Sequence, residues 1–208
     1  MNKYLTEFIG TFFLVLTIGC SVTIGGLGLL AALAIGSSLM IMIYAGGHVS
    51  GGHYNPAVTL AVWVRGRCPT SDVIPYWVAQ FIGATVASLA VNYLKGETLV
   101  TLLAVKTGPA LLAEFLYTFA LAYVVLNSAT AKANAGNSFY GLAIGFTVMT
   151  GAFAVGKISG GAFNPAVAFG GCLMGLLAWP SIWIYLAANF LGGIVAAQVF
   201  KFINPEDK

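Results

Sequence analysis

Two copies of one short motif contain the residues best suited to binding a neutral polar molecule. The motif spans residues 50–58 and recurs at residues 159–167, with Asn55 and Asn164 at equivalent positions. An asparagine amide offers hydrogen-bond donors without a net charge. Asparagine also suits the N-cap of a helix, and a following proline is tolerated in the first helical turn. Each copy therefore predicts the start of a helix, with these first-turn residues: Pro56, Ala57, Pro165 and Ala166.

The two predicted helices, at about residues 55–67 and 164–175, are too short to cross a lipid bilayer. At 1.5 Å per residue, ~11 residues cover roughly 17 Å, about half of the hydrocarbon thickness. The glycine pairs Gly51-Gly52 and Gly160-Gly161 precede them and allow an unwound backbone to pass close to neighbouring helices. We predict two half-helices that enter the membrane without crossing it.

The motifs belong to an internal duplication. Asn164 follows Asn55 by 109 residues (164 − 55 = 109), about half of the 208-residue chain, and other segments recur at the same or a nearby spacing. Glu7 is followed by the same sequence pattern as Glu114. We predict a single domain over residues 1–208, with repeat one at about 1–100 and repeat two at about 107–208.

The composition indicates a chain that lies in lipid. Apolar residues make up 59% of the chain and charged residues only 7%, and the mean hydropathy is +0.92. The net charge of +3 is scattered, which argues against nucleic acid as a partner. Six apolar segments are long enough to span a bilayer. They lie near residues 4–24, 28–46, 73–94, 110–128, 138–156 and 180–203.

Three spans per repeat place the second repeat upside down relative to the first. The half-helices then enter from opposite faces, and their N-termini can meet near the midplane. Basic residues favour cytoplasmic loops. With both termini in the cytoplasm, six basic residues lie inside and three outside. The inner residues are Lys3, Arg65, Arg67, Lys132, Lys201 and Lys208, and the outer residues are Lys95, Lys106 and Lys157.

Paired Asn-Pro-Ala motifs in a duplicated six-span chain resemble the aquaporin, or major intrinsic protein, family. The resemblance covers nearly the whole chain. It implies an all-α membrane protein, in which six transmembrane helices and two re-entrant half-helices form an inverted internal repeat around a pore. It also implies a water channel that assembles as a homotetramer. The segment from Asn164 to Gly170 is similar to that of some tonoplast intrinsic proteins.

The predicted midplane suits uncharged molecules. Each half-helix N-terminus has about half a positive charge, so two of them aimed at one point repel a cation. We expect Asn55 and Asn164 to donate hydrogen bonds to one water oxygen there and so to interrupt a chain of proton transfers.

Two acidic residues and one histidine are expected to support this region. Glu7 and Glu114 lie inside spans, where an ionised carboxylate is costly without partners. The resemblance implies that they accept hydrogen bonds from the unwound backbone before each half-helix, although a proton-coupling role is an alternative. His53 matches a family position near the inner vestibule, and we interpret it as a packed residue that orients the loop.

The outer constriction departs from the family pattern. Most members have an arginine directly after the second Asn-Pro-Ala, whereas this chain has Val167. The resemblance places the constriction at Ile35, Ala152, Gly161 and Val167. This small, uncharged ring predicts a broad pore for water and small neutral solutes such as ammonia, urea, hydrogen peroxide or glycerol.

Three nearby side chains offer alternatives to that prediction. Phe153 or Phe163 could fill the space and restore a narrow pore. Lys157, which we place in the outer loop, could replace the missing positive charge, or it could extend along the surface.

The sequence favours a passive channel over other classes. No set of residues for catalysis, a cofactor or a metal is expected, and Cys20, Cys68 and Cys172 lack metal-ligand spacing. A coupled secondary transporter is the main alternative, because inverted repeats with broken helices also occur in that class. A junctional protein with a closed pore is a third possibility. Gly161 stands where some relatives have a pore cysteine, so we expect no mercurial block through that position.

Overall fold

The computed structural model describes residues 1–24 and 26–207, and every regular element in these two ranges is helical. Six helices are long and apolar enough to cross a membrane, and two are short. The eight are α1 (Asn2–Gly19), α2 (Leu30–Ser50), α3 (Pro56–Val64), α4 (Thr70–Lys95), α5 (Thr107–Val125), α6 (Tyr140–Ser159), α7 (Pro165–Leu173) and α8 (Ile182–Ile203). π-Helical turns extend α1 over Cys20–Ile24 and α5 over Leu126–Thr130, and 3-10 turns lie at Lys132–Asn134 and Trp179–Ser181.

The prediction of six spans and two half-helices is confirmed, with differences at the helix ends. Helices α2 and α6 continue to Ser50 and Ser159, about one turn beyond the predicted ends. They stop where Gly51 and Gly160 adopt left-handed backbone conformations, with φ of 89° and 91°, which a residue with a side chain rarely takes. The predictions that involve Gly25 and Lys208 lie outside the described residues.

Glycines set the crossings between the long helices. Helix α1 packs against α4, and α5 packs against α8. A Cβ atom on Gly83 would lie 2.6 Å from the carbonyl oxygen of Phe8, and one on Gly192 would lie 2.8 Å from that of Phe115. Helices in lipid associate through such close packing, since there is little hydrophobic force between them. The same contact therefore occurs once in each half of the chain.

Each half-helix rests on a long helix from the other half. Helix α3 packs mainly against α8, and α7 packs mainly against α4. Most residues of the two half-helices are buried, whereas the long helices expose leucine, isoleucine and phenylalanine side chains. The polar backbone of the short helices is thus enclosed by protein, and the apolar outer surface suits lipid.

Candidate functional site

Both half-helices begin with an asparagine N-cap. Asn55 Oδ1 accepts hydrogen bonds from the backbone nitrogens of Ala57 (2.9 Å) and Val58 (3.4 Å). Asn164 Oδ1 accepts from the equivalent nitrogens, those of Ala166 (2.9 Å) and Val167 (3.4 Å). A proline follows each asparagine at the first helical position, where its missing N–H removes no helical bond. The motif thus encodes each start locally.

The two caps are joined by reciprocal hydrogen bonds. Asn55 Nδ2 donates to the carbonyl oxygen of Phe163 (2.9 Å), and Asn164 Nδ2 donates to that of Tyr54 (2.9 Å). Each primary amide has two N–H groups, so one remains on each asparagine after this bond is made. The structure therefore brings the two predicted midplane residues together. Half of their N–H donors bind protein, and the prediction that the other half bind a molecule in the pore stays a prediction.

Both loops have an aromatic residue in a left-handed conformation before the asparagine. Tyr54 and Phe163 each have a φ of 49°, a conformation that costs roughly 1–3 kcal/mol for a residue with a bulky side chain. This conformation aims the Tyr54 carbonyl at Asn164 and the Phe163 carbonyl at Asn55. The reciprocal bonds thus depend on locally strained backbone.

Glu7 holds the first loop from inside α1. One carboxylate oxygen accepts from Ser50 Oγ (2.7 Å) and the His53 nitrogen (2.9 Å). The other accepts from the Tyr54 nitrogen (2.6 Å) and from Gln80 Nε2 (2.8 Å). The residue is fully buried, and four donors compensate for its burial.

Glu114 holds the second loop in the same way. Its oxygens accept from Ser159 Oγ (2.7 Å) and from the backbone nitrogens of Ala162 (2.9 Å) and Phe163 (2.7 Å). Asn189 is oriented with its amide nitrogen toward Glu114, and this nitrogen donates to Glu114 Oε2 (3.0 Å). Glu114 is also fully buried. These contacts match the support that the family resemblance implies for both carboxylates.

Two tyrosines that the sequence did not single out complete this frame. Tyr76 donates its hydroxyl to the Ser50 carbonyl (2.7 Å), and Tyr185 donates to the Ser159 carbonyl (2.5 Å). Their spacing of 109 residues (185 − 76 = 109) equals that of the two motifs. That shared spacing is the sequence feature that could have identified them.

A cavity of about 600 Å³ passes the paired asparagines. Its walls are mainly aliphatic side chains from α1, α2, α5 and α6, including Leu14, Leu39, Leu121 and Val148. The segment at residues 101–104 lines one mouth. The polar groups are few and lie mainly near the asparagines. Such a cavity can hold neutral molecules and offers little to replace the hydration shell of an ion.

The structure places all four residues of the predicted outer constriction on this cavity. Ile35 and Val167 are mostly buried, with relative exposures of 9% and 7%, and Ala152 and Gly161 are partly exposed. They come from α2, α6, the second loop and α7, so folding brings together residues that are far apart in sequence. Whether they form the narrowest point of a pore stays a prediction.

Of the two aromatic residues proposed to fill this region, only Phe153 lines the cavity. The Phe163 ring is fully buried, lies 5.3 Å from the Tyr117 ring and packs over Gly151. The alternative that Phe163 narrows the pore is therefore wrong for this structure. The placement of Lys157 in a loop is also wrong, because Lys157 lies in the last turn of α6 and lines the cavity.

His53 also lines the cavity, beside Asn55. Its Nδ1 lies 3.1 Å from Thr59 Oγ1, and its ring packs edge-on against Tyr76. Thr59 Oγ1 in turn accepts from Gln80 Nε2 (3.0 Å). His53 is therefore packed, and its role in orienting the loop stays a prediction.

The three cysteines do not line the cavity. Cys68 and Cys172 are buried, and Cys20 is partly buried. Among residues 1–24 and 26–207, no group of three His, Cys, Asp or Glu side chains is arranged to hold a metal ion.

Comparisons with known proteins agree with this geometry. Residues 1–200 match the family model described as major intrinsic protein. The chain is 38% identical to glycerol uptake facilitator protein-like 6 of Lactiplantibacillus plantarum, with all of both chains covered. It is 36% identical to the putative aquaporin NIP4-1 of Arabidopsis thaliana, with all of this chain and 76% of the relative covered. The X-ray structure of the aquaglyceroporin from Plasmodium falciparum has the same fold. It has a TM-score of 0.82 and 22% sequence identity over 99% of this chain and 97% of that one. The similarity of the second motif to tonoplast intrinsic proteins is not confirmed.

Proposed function

Because the chain belongs to the major intrinsic protein family, we propose that it is a passive membrane channel for water and small neutral solutes. The observation that carries this proposal is the pair of reciprocally bonded asparagine caps beside a continuous cavity. Each asparagine keeps one N–H group for a passing molecule, and the walls around it are mainly aliphatic.

The midplane of this channel excludes cations by electrostatics. The N-termini of α3 and α7 meet there, and each contributes about half a positive charge, so a cation is repelled. A neutral molecule is not repelled and binds the free amide donors. Half-helix dipoles are an established cause of proton and cation exclusion in aquaporin-type pores.

The outer ring of Ile35, Ala152, Gly161 and Val167 allows solutes larger than water. These side chains have no charge and no side-chain hydrogen-bonding group, so the ring does not favour single-file water over other neutral molecules. Ammonia, urea, hydrogen peroxide and glycerol are the candidate solutes. The Lactiplantibacillus relative, whose name includes glycerol uptake, supports testing glycerol first among the polyols.

The channel spans the cell membrane with both termini in the cytoplasm. Two hydrogen bonds support this topology, because Asp207 accepts from Arg65 Nη2 (2.6 Å) and from the Lys132 nitrogen (2.8 Å). The end of α3, the loop after α5 and the C-terminal segment therefore share one face, on which two of the predicted inner basic residues, Arg65 and Lys132, lie. By resemblance to the family, the protein forms a homotetramer with one pore per subunit, and each subunit is a single domain of two inverted repeats.

The burial and hydrogen bonding of the two carboxylates argue against a coupled secondary transporter. Glu7 and Glu114 are fully buried and bound by several donors, which leaves neither exposed to a coupling ion. A channel predicts that solute flux persists without an ion gradient and rises linearly with concentration. Saturating flux that requires a gradient would support the transporter.

Light scattering from proteoliposomes tests the width of the pore. We expect the native protein to pass water, urea and glycerol. We expect Val167→Arg to reduce urea and glycerol flux by about tenfold and to keep most water flux, because the arginine narrows the ring and adds donors. Val167→Leu is the matched control, since it adds bulk without charge. A native channel that excludes urea and glycerol as completely as Val167→Arg would contradict the broad pore.

A further inference from the structure

Within the described ranges, Lys157 is the only Lys, Arg, Asp or Glu residue that lines the cavity. It lies in the last turn of α6 and is exposed. Within residues 1–24 and 26–207 its ammonium group forms no hydrogen bond or ion pair. Its charge is therefore not neutralised by a neighbouring carboxylate.

Lys157 lies close to the ring that lacks an arginine. It follows Ala152 by five residues on the same helix, which corresponds to about 7.5 Å along the helix axis. It lines the same mouth as Phe153, Gly156 and the segment at residues 101–104. A positive charge thus lies near an uncharged ring, more than one helical turn from Ala152 toward the C-terminal end of α6.

We propose that Lys157 repels small cations at this mouth and thereby determines specificity for neutral molecules. This role rests on the proposed channel function. Its charge acts before the midplane, where the dipoles of α3 and α7 act again. The aliphatic walls weaken screening, so the charge acts over several ångströms. The substrates that this arrangement favours are neutral molecules whose protonated forms are cations, such as ammonia, and only the neutral form passes.

The experiment compares guanidinium and water permeability in proteoliposomes. Tracer guanidinium is the probe, because it stays cationic at neutral pH. Replacing lysine by glutamate changes the charge by two units. At about 10 mM salt, and even at the dielectric constant of water, this changes the concentration of a monovalent cation at a distance of about 7.5 Å by about fivefold. We therefore expect Lys157→Glu to raise the ratio of guanidinium to water permeability by about fivefold or more. For Lys157→Met, which removes one charge unit, we expect about twofold.

Two further variants and a change of salt separate charge from structure. Lys157→Arg keeps the charge and should behave as the native protein. Lys106→Glu reverses a charge just before α5 that does not line the cavity, so at the same salt it should change the ratio less than Lys157→Glu does. At about 1 M salt, where the Debye length is about 3 Å, the effect of Lys157→Glu should disappear.

The outcomes distinguish this inference from the channel function. An unchanged ratio in Lys157→Glu at low salt, with normal water flux, would overturn the role of Lys157 alone. A change that persists at high salt would also overturn it, because the effect would then be steric. Absence of water flux through the native protein would overturn the channel function itself.

Discussion

The loop before α3 and the loop before α7 share a buried frame and differ in the side chains around it. In both, a glutamate accepts from a serine and two backbone nitrogens, and a tyrosine donates to the serine carbonyl. The first loop adds a hydrogen-bonded pair, His53 and Thr59. The second loop has Ala162 and Ala168 at the equivalent positions.

This difference shows that both half-helices require the same buried frame, whereas the side chains around the frame can differ between the two sides of the pore. The bonds from Asn55 to the Phe163 carbonyl and from Asn164 to the Tyr54 carbonyl form only if both half-helices begin at the same depth, so both loops need the same support. Apart from the two asparagines, the side chains that line the cavity do not take part in those bonds. One side of the pore can therefore be polar and the other apolar without a change in the frame.

The largest expected effect comes from removing the carboxylates. Glu7→Ala and Glu114→Ala each leave two buried backbone N–H groups without an acceptor, at about 1–3 kcal/mol per group. We expect each variant to lose about 2–6 kcal/mol of stability and most water flux. Thermal unfolding in detergent and stopped-flow light scattering measure these losses, with the exposed residue Glu97→Ala as control. A loss in only one of the two variants would show that the frames are not equivalent.

Removal of the asparagines tests the bonds between the loops. Asn55→Ala and Asn164→Ala each remove a cap, at about 1 kcal/mol, and leave a carbonyl of the other loop unpaired, at about 1–3 kcal/mol. We expect similar losses of about 2–4 kcal/mol for the two variants. The double variant should lose less than the sum, because the first substitution already separates the loops. Strict additivity in unfolding experiments would argue against this coupling.

A smaller effect is expected where each loop aromatic packs against a glycine. A Cβ atom on Gly10 would lie 2.1 Å from the Tyr54 ring, and one on Gly151 would lie 2.6 Å from the Phe163 ring. Overpacking of this kind costs about 1–3 kcal/mol, and we expect Gly10→Ala to lose more than Gly151→Ala. Gly108→Ala is the control. A Cβ atom at Gly108 would meet no neighbouring atom within 4 Å, so this variant should keep full stability. Equal melting temperatures for Gly10→Ala and Gly108→Ala would be inconsistent with the packing described.

The smallest effect is expected from making the first loop resemble the second. His53→Ala removes the contact with Thr59, whose hydroxyl keeps its bonds to Gln80 and to the Asn55 carbonyl. The expected loss is about 0.5–1.5 kcal/mol, with water flux retained. If flux collapses while the melting temperature is unchanged, His53 acts on the permeating molecule rather than on the loop.

The sequence predicted the parts of this site that are encoded locally. The Asn-Pro pairs define the half-helix starts, and the duplication marked Glu7 and Glu114 as equivalent. Apolar length was sufficient to identify the six spans. The roles assigned to Ile35, Ala152, Gly161 and Val167 stay predictions, as does the division into two repeats.

Contacts between distant segments could not be predicted in the same way. The bond from Asn55 to Phe163 joins residues 108 apart, and its geometry depends on a strained backbone that residue types do not reveal. Tyr76 and Tyr185 lie within apolar spans, where a tyrosine that faces lipid looks the same in sequence. Lys157 was misplaced because α6 continues to Ser159 before a glycine ends it.

The bonds between the two loops also bear on how the protein is made. A chain synthesised from its N-terminus inserts Asn55 well before the ribosome reaches Phe163. Until then, the Asn55 amide and the Tyr54 carbonyl lack their native partners, and each unsatisfied polar group in hydrocarbon costs several kcal/mol. The first half therefore completes its hydrogen bonds only after the second half has been inserted.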